Sequence, residues 1–131
     1  MAAEKFVRND LKTSVVLVGH GSKARGFEAP MKKVAQDLSR SGRYRDVIPA
    51  YFEIASPSIP EAVGLCVKRG ASRVKVLPYF LLLGAHVTQD IPSIVASEKK
   101  KYSRRAAVIL CPYLGYDPRI SEVAKKRIEG R

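Results

Sequence analysis

Ser14-Val15-Val16-Leu17-Val18, halted by Gly19-His20-Gly21-Ser22, is the stretch on which the reading of this chain turns. It is a short, continuous apolar run with no polar alternation. A strand made from it buries both faces, which is the condition of a strand inside a parallel sheet covered by helices on either side. The glycines that stop the run open a loop at its carboxyl end.

Outward from this strand the period changes. Met31, Val34, Ala35 and Leu38 keep the i, i+3, i+4, i+7 spacing of a helix with one buried stripe, and Ser41-Gly42 ends it. Val47 to Ile54 reads as a second strand. Pro49 inside it lacks a ladder donor, so that strand belongs at a sheet edge. Ser58 and Glu61 form an S-x-x-E capping box with Pro60 in the first turn. Ile59, Ala62, Val63, Cys66 and Val67 make the stripe of this second helix, which stops at Gly70. Arg73 to Leu83 holds a third strand, in which Pro78 marks a bulge or the end of the ladder. Asp90 is placed to cap a third helix from Ile91 to about Lys101, with Pro92 in its first turn. Ala106 to Leu110 is the fourth strand. Asp117-Pro118 opens a last helix with Ile120, Val123, Ala124 and Ile128 facing inward.

The alternation βαβαβαβα predicts parallel pairing through right-handed crossovers, hence an α/β three-layer sandwich around a four-stranded sheet. With the second strand at an edge, the expected order is 2-1-3-4, as in flavodoxin-like folds. A polar leader over residues 1–13 precedes one domain over 14–131.

The chain has 131 residues, 46% of them apolar, enough for one core. Its 24 Lys and Arg against 12 Asp and Glu give a net charge of +12. That excess draws anionic partners: nucleic acid, an anionic membrane surface or a polyanionic small molecule. The basic residues are scattered along the chain and no RNP-like or helix-turn-helix pattern occurs, so nucleic acid is the weaker reading. No run of about 18 apolar residues is present to span a bilayer. Cys66 and Cys111 are far apart and form no C-x-x-C pair, which argues against a disulfide framework, a zinc knuckle or a cysteine-held cluster. A reduced, cytoplasmic protein is expected.

In open α/β sheets ligands bind beyond the carboxyl ends of the strands, where strand order reverses. Here that point lies between strands one and three. Strand one runs into Gly19-His20-Gly21-Ser22 and strand three into Leu83-Gly84-Ala85-His86-Val87. The two histidines of the chain thus fall in loops that the topology sets side by side. Imidazole suits Co, Ni, Fe and Zn, and it accepts a proton near neutral pH. Gly19, Gly21 and Gly84 either leave room for a bulky ligand or serve turn geometry alone. Glu53, near the end of strand two, is a third ligand, a proton acceptor or a solvated edge carboxylate. Ser22 either caps a helix or touches substrate, and Phe80, Leu82 and Leu83 either line a cavity or pack. There is no dinucleotide fingerprint, phosphate-binding P-loop or nucleophile elbow. A histidine phosphoryl transferase would want more arginine beside His20 than Arg25 supplies.

Four blocks in order then resemble the class II chelatases: Val18 to Ser22, Phe52-Glu53 with Ser56 to Ala62, Gly84 to Pro92, and Pro112 to Arg119. The match extends from about Ser14 to Ile128. Within that group the chain resembles the short, single-domain sirohydrochlorin cobaltochelatases. The resemblance implies metal binding by His20 and His86, with Glu53 as acidic partner. It implies ATP-independent insertion of Co2+ into sirohydrochlorin for cobalamin synthesis, with Ni2+ or Fe2+ as alternative substrate metals. It also implies a homodimer with its active site in a cavity between domains. Sirohydrochlorin carries eight carboxylates, which suits a +12 chain. Lys23 and Arg25 are candidates to pair with them, and Leu83, Ala85 and Val87 to contact the ring. The histidine-rich stretch of some relatives is absent, since Ser97 to Arg105 is basic and has no histidine.

Overall fold

A computed structural model describes residues 11–131, with the side chain of His86 outside that description. Strand β1 spans Thr13–Gly19, β2 Val47–Tyr51, β3 Arg73–Pro78 and β4 Ala107–Leu110. Between and after them run helices α1 (Ala29–Arg40), α2 (Ile59–Lys68), α3 (Ala85–Lys101) and α4 (Pro118–Ile128). The sheet is parallel throughout, in the order β2-β1-β3-β4. The expected topology is borne out. Pro49 sits in edge strand β2, opposite Leu17 of β1.

The sheet divides two cores. Val16 and Val18 of β1, Val74 and Val76 of β3 and Val108 of β4 face α2 and α3, where Ile59, Val63, Cys66, Ile91 and Val95 close over them. Val15 and Leu17 face the other way, against Met31 and Ala35 of α1 and Tyr51 of β2. The absence of alternation in β1 is thereby explained, because both of its faces are covered.

The capping box of α2 forms as its sequence requires. The Glu61 backbone N–H donates to Ser58 Oγ at 3.2 Å, and the Ser58 N–H donates to Glu61 Oε1 at 2.8 Å. Several boundaries differ from expectation: β3 ends at Pro78 and not Leu83, the proline marking the end of the ladder, and β4 begins at Ala107. The leader gives way to β1 at Thr13, and its first ten residues lie outside the described ones. Strand β2 ends at Tyr51 and not Ile54, because the Phe52 and Glu53 N–H groups turn to the carbonyls of Gly19 and His20 at 2.8 and 3.0 Å. Helix α3 begins at Ala85, six residues before the expected Ile91, with Gly84 at its N-cap in extended conformation. Asp90 therefore lies inside the helix and does not cap it. Pro92 is an interior residue, where its missing N–H forfeits one helical bond.

The last helix departs most. Asp117 caps α4 by accepting from the Arg119 N–H at 2.9 Å, yet α4 buries no residue. The stripe read as inward is open: Val123 is 47% and Ile128 85% exposed. No helix of the described residues is long and apolar enough to cross a membrane.

Candidate metal-handling site

The β1–β3 pairing ends at Val18 and Pro78, and the Tyr79 N–H still donates to the Val18 carbonyl at 2.8 Å. Beyond that point the chain after β1 and the chain after β3 leave the sheet together. His20 stands in the first of these loops, exposed to solvent. Its ring meets Phe52 at 6.0 Å between centroids and 69° between planes, and Phe80 at 6.2 Å and 85°. Both are edge-to-face contacts. Aromatic residues that follow β2 and β3 thus hold the imidazole from two sides while leaving it open to solvent.

The loop is strapped by backbone. The Glu53 N–H bonds the His20 carbonyl, and Gly21 has φ +108°, with the place of a Cβ only 1.7 Å from the Glu53 carbonyl oxygen. Gly21 therefore serves close backbone approach, and it also lies on the wall of a cavity. At Gly84 the Cβ position is open space, and at Gly19 it meets only the flexible end of Met31, at 3.1 Å. Ile54, next to Glu53, has φ +71°. With the Ala55 N–H donating to the Glu53 carbonyl at 2.7 Å it forms a tight three-residue turn, a strained conformation for a β-branched residue.

A cavity of about 350 Å³ opens at this edge, lined by Gly19, His20, Gly21 and Ser22 and on the far side by Glu28, Met31, Tyr51 and Tyr79. Ser22 does not cap α1, whose N-cap is Glu28; its Oγ accepts from the Ala24 N–H at 3.0 Å in the turn before that helix, and the residue lies on the cavity wall. Glu28, missed in the sequence, brings a carboxylate to the cavity wall, 3.9 Å from Lys32 Nζ. Burial, and then the Glu28 carboxylate, push the Tyr51 hydroxyl above its usual range.

The remaining candidates are dispersed. Leu83 and Val87 line a second, apolar cavity of about 200 Å³ between the ends of β3 and β4 and the start of α3. Val87 also packs into the α2–α3 core. Gly84 and Ala85 are the N-cap and first residue of α3, both exposed. His86 follows them in the first helical turn and not in a loop as expected; the partial positive charge of a helix N-terminus lies there. Lys23, Arg25 and Glu53 are exposed, and none of them lines either cavity. Cys111, on the second cavity, has its thiol pushed up by burial, with Lys75 opposing.

The model of the CbiX family matches residues 14–131. The chain belongs to the CbiX family. Among its relatives, the chloroplastic sirohydrochlorin ferrochelatase of Arabidopsis thaliana is 35% identical over 97% of this chain and 57% of its own length. The sirohydrochlorin cobaltochelatase of Methanopyrus kandleri is 29% identical over 88% of this chain and 94% of its own length. That of Sulfolobus acidocaldarius is 32% identical, over 88% and 89%. This CbiX-family chain therefore spans little more than half of the plant relative and nearly all of the archaeal ones. Two solved structures share the fold at 23% identity. A CbiX protein of Marinobacter aquaeolei superposes with a TM-score of 0.75 over 90% of this chain and 93% of its own. The sirohydrochlorin chelatase SirB of Bacillus subtilis subspecies spizizenii, in complex with cobalt, gives 0.81 over 92% and 51%.

Proposed function

We propose that this chain is a metal chelatase that inserts Co2+ into sirohydrochlorin without a nucleotide, on the path to cobalamin, and that it works as a cytoplasmic homodimer. The observation that carries the reading is His20: an open imidazole, braced by two aromatic edges, at the mouth of a cavity on the carboxyl edge of the sheet. The same edge carries exposed apolar side chains from three loops, namely Ile54, Leu81, Leu82 (86% exposed) and Tyr116. A flat macrocycle rests on apolar groups, and its rim of carboxylates suits a chain of net charge +12.

Insertion exchanges two pyrrole N–H protons for one M2+ ion, and two protons leave. His20 and His86 replace water on the incoming ion and hold it over the ring face. An imidazole or Glu53 accepts the protons as general base. The Glu53 backbone is bonded to that of His20, so the base and the metal ligand move as one piece. Lys23 and Arg25 stand in solvent beside His20, where they meet the substrate's carboxylates. The archaeal relatives named as cobaltochelatases support cobalt. The plant ferrochelatase supports a second reading in which the same site takes Fe2+.

The test is the visible spectrum of sirohydrochlorin with Co2+, Fe2+ or Ni2+, with and without the protein. Acceleration with Co2+ that is lost in His20→Ala is expected. No acceleration with any of the three ions would overturn the reading.

A further inference from the structure

The two substrates of the proposed reaction carry opposite charge. A chain of net charge +12 draws a polyanionic macrocycle and repels a divalent cation. The ion therefore gains from a carboxylate on its own path, apart from the basic residues that meet the macrocycle.

The His20 loop stands between the two sides of the sheet. Phe52 and Phe80, whose rings touch the imidazole, pack on the core beneath α2 and α3. The cavity of about 350 Å³ that His20 also lines opens on the other side, where Phe27, Met31, Tyr51 and Tyr79 belong to the core under α1. Glu28 brings a carboxylate to that wall, on a side chain only 29% exposed. The fold makes little use of it. Glu28 stands at the N-cap of α1 without a side-chain cap bond. Its partner Lys32 is 3.9 Å away on a side chain 59% exposed, a pair that water and salt readily screen. Beside it the Tyr51 phenol keeps its proton, held by burial and by the carboxylate. A divalent ion with six waters, at about 30 Å³ per water, takes up roughly 180 Å³, so the cavity admits it with its shell intact.

We infer that Glu28 holds the hydrated divalent cation in this cavity, on the α1 side of the His20 loop, before the imidazole takes it. The ion replaces the Lys32 ammonium as partner of the carboxylate, and Ser22, Tyr51 and Tyr79 offer hydroxyl oxygens to its bound waters. One carboxylate acting through water binds loosely, as suits an ion that must move on. Among the described residues no group of three or more metal-ligating side chains is gathered to trap it. The inference rests on the metal-insertion reading for the ion's destination, while the binding itself stands apart from that reading.

The probe is Mn2+, added without tetrapyrrole to a His20→Ala, His86→Ala protein whose tyrosine ring protons are followed by NMR. Paramagnetic broadening of the Tyr51 and Tyr79 signals is expected, and it should vanish when Glu28→Gln is added. Signals that stay sharp, or broadening that survives Glu28→Gln, overturn the inference. In the otherwise unaltered chain, Glu28→Gln should raise KM for Co2+ about tenfold and leave kcat and the KM for sirohydrochlorin near wild type. Asp37→Asn, which removes the same charge from an exposed position on α1, should change none of the three. A Glu28→Gln protein that raises only the KM for sirohydrochlorin places Glu28 against the macrocycle and also overturns the inference. Absence of insertion by the wild-type chain overturns the functional reading and not the cation site, which the Mn2+ broadening then decides.

Discussion

At the scale of single residues, the site is held by backbone more than by side chains. Gly21→Ala places a methyl 1.7 Å from the Glu53 carbonyl oxygen at a φ of +108°. We expect a loss of at least ~2 kcal/mol, read as a fall of several degrees in Tm. Ile54→Gly should do the reverse. It relieves the φ of +71° at a residue that is 60% exposed, and stability should rise by about 1 kcal/mol in denaturant titration. His20→Ala leaves Tm near wild type and lowers insertion by about 100-fold or more. The Cys66 thiol gives a pH prediction. Burial pushes it from its ordinary 9.0 up to about 11, so the folded state binds its proton more tightly than the unfolded chain. That stability is complete below about pH 9 and drains away as pH rises toward 11. Tyr51, also raised, adds to the same decline. The unfolding midpoint should therefore fall between pH 8 and pH 10.5, and less steeply in Cys66→Ala.

Elements were legible where local chemistry is complete within a few residues. Ser58 and Glu61 announce a capping box that forms with both of its bonds. Ser58→Ala should cost about 1 kcal/mol, measured by urea unfolding. The start of α3 was not legible, because Pro92 imitates a first-turn proline and Asp90 a cap. The true cap, Gly84, contributes no side chain, and its carbonyl instead accepts from Thr88 Oγ1 at 2.8 Å. That error moved His86 from a helix into a loop. Glu28 escaped notice for a related reason. It stands at the N-cap of α1 without making a side-chain cap, so neither periodicity nor capping chemistry marks it out.

For the molecule as a whole, the sheet order followed from one proline and from the buried pattern of β1. The charge of +12 predicts behaviour rather than fold. Raising ionic strength from about 0.01 M to 0.5 M shortens the screening length from ~30 Å to below 8 Å. KM for the octacarboxylate should rise several-fold while kcat changes little; a KM indifferent to salt would show that charge does not recruit the substrate. The failed expectation at this scale was the inward stripe of α4. Amphipathic spacing marks which side of a helix is apolar, and is silent about whether the rest of the fold reaches it.

The bond from the Glu53 N–H to the His20 carbonyl is main chain on both sides, so it is indifferent to the side chain carried at either position. Drift at residue 53 can therefore alter the chemistry beside the imidazole without slackening the loop, whereas Gly21, with no room for a Cβ, is barred from drifting at all.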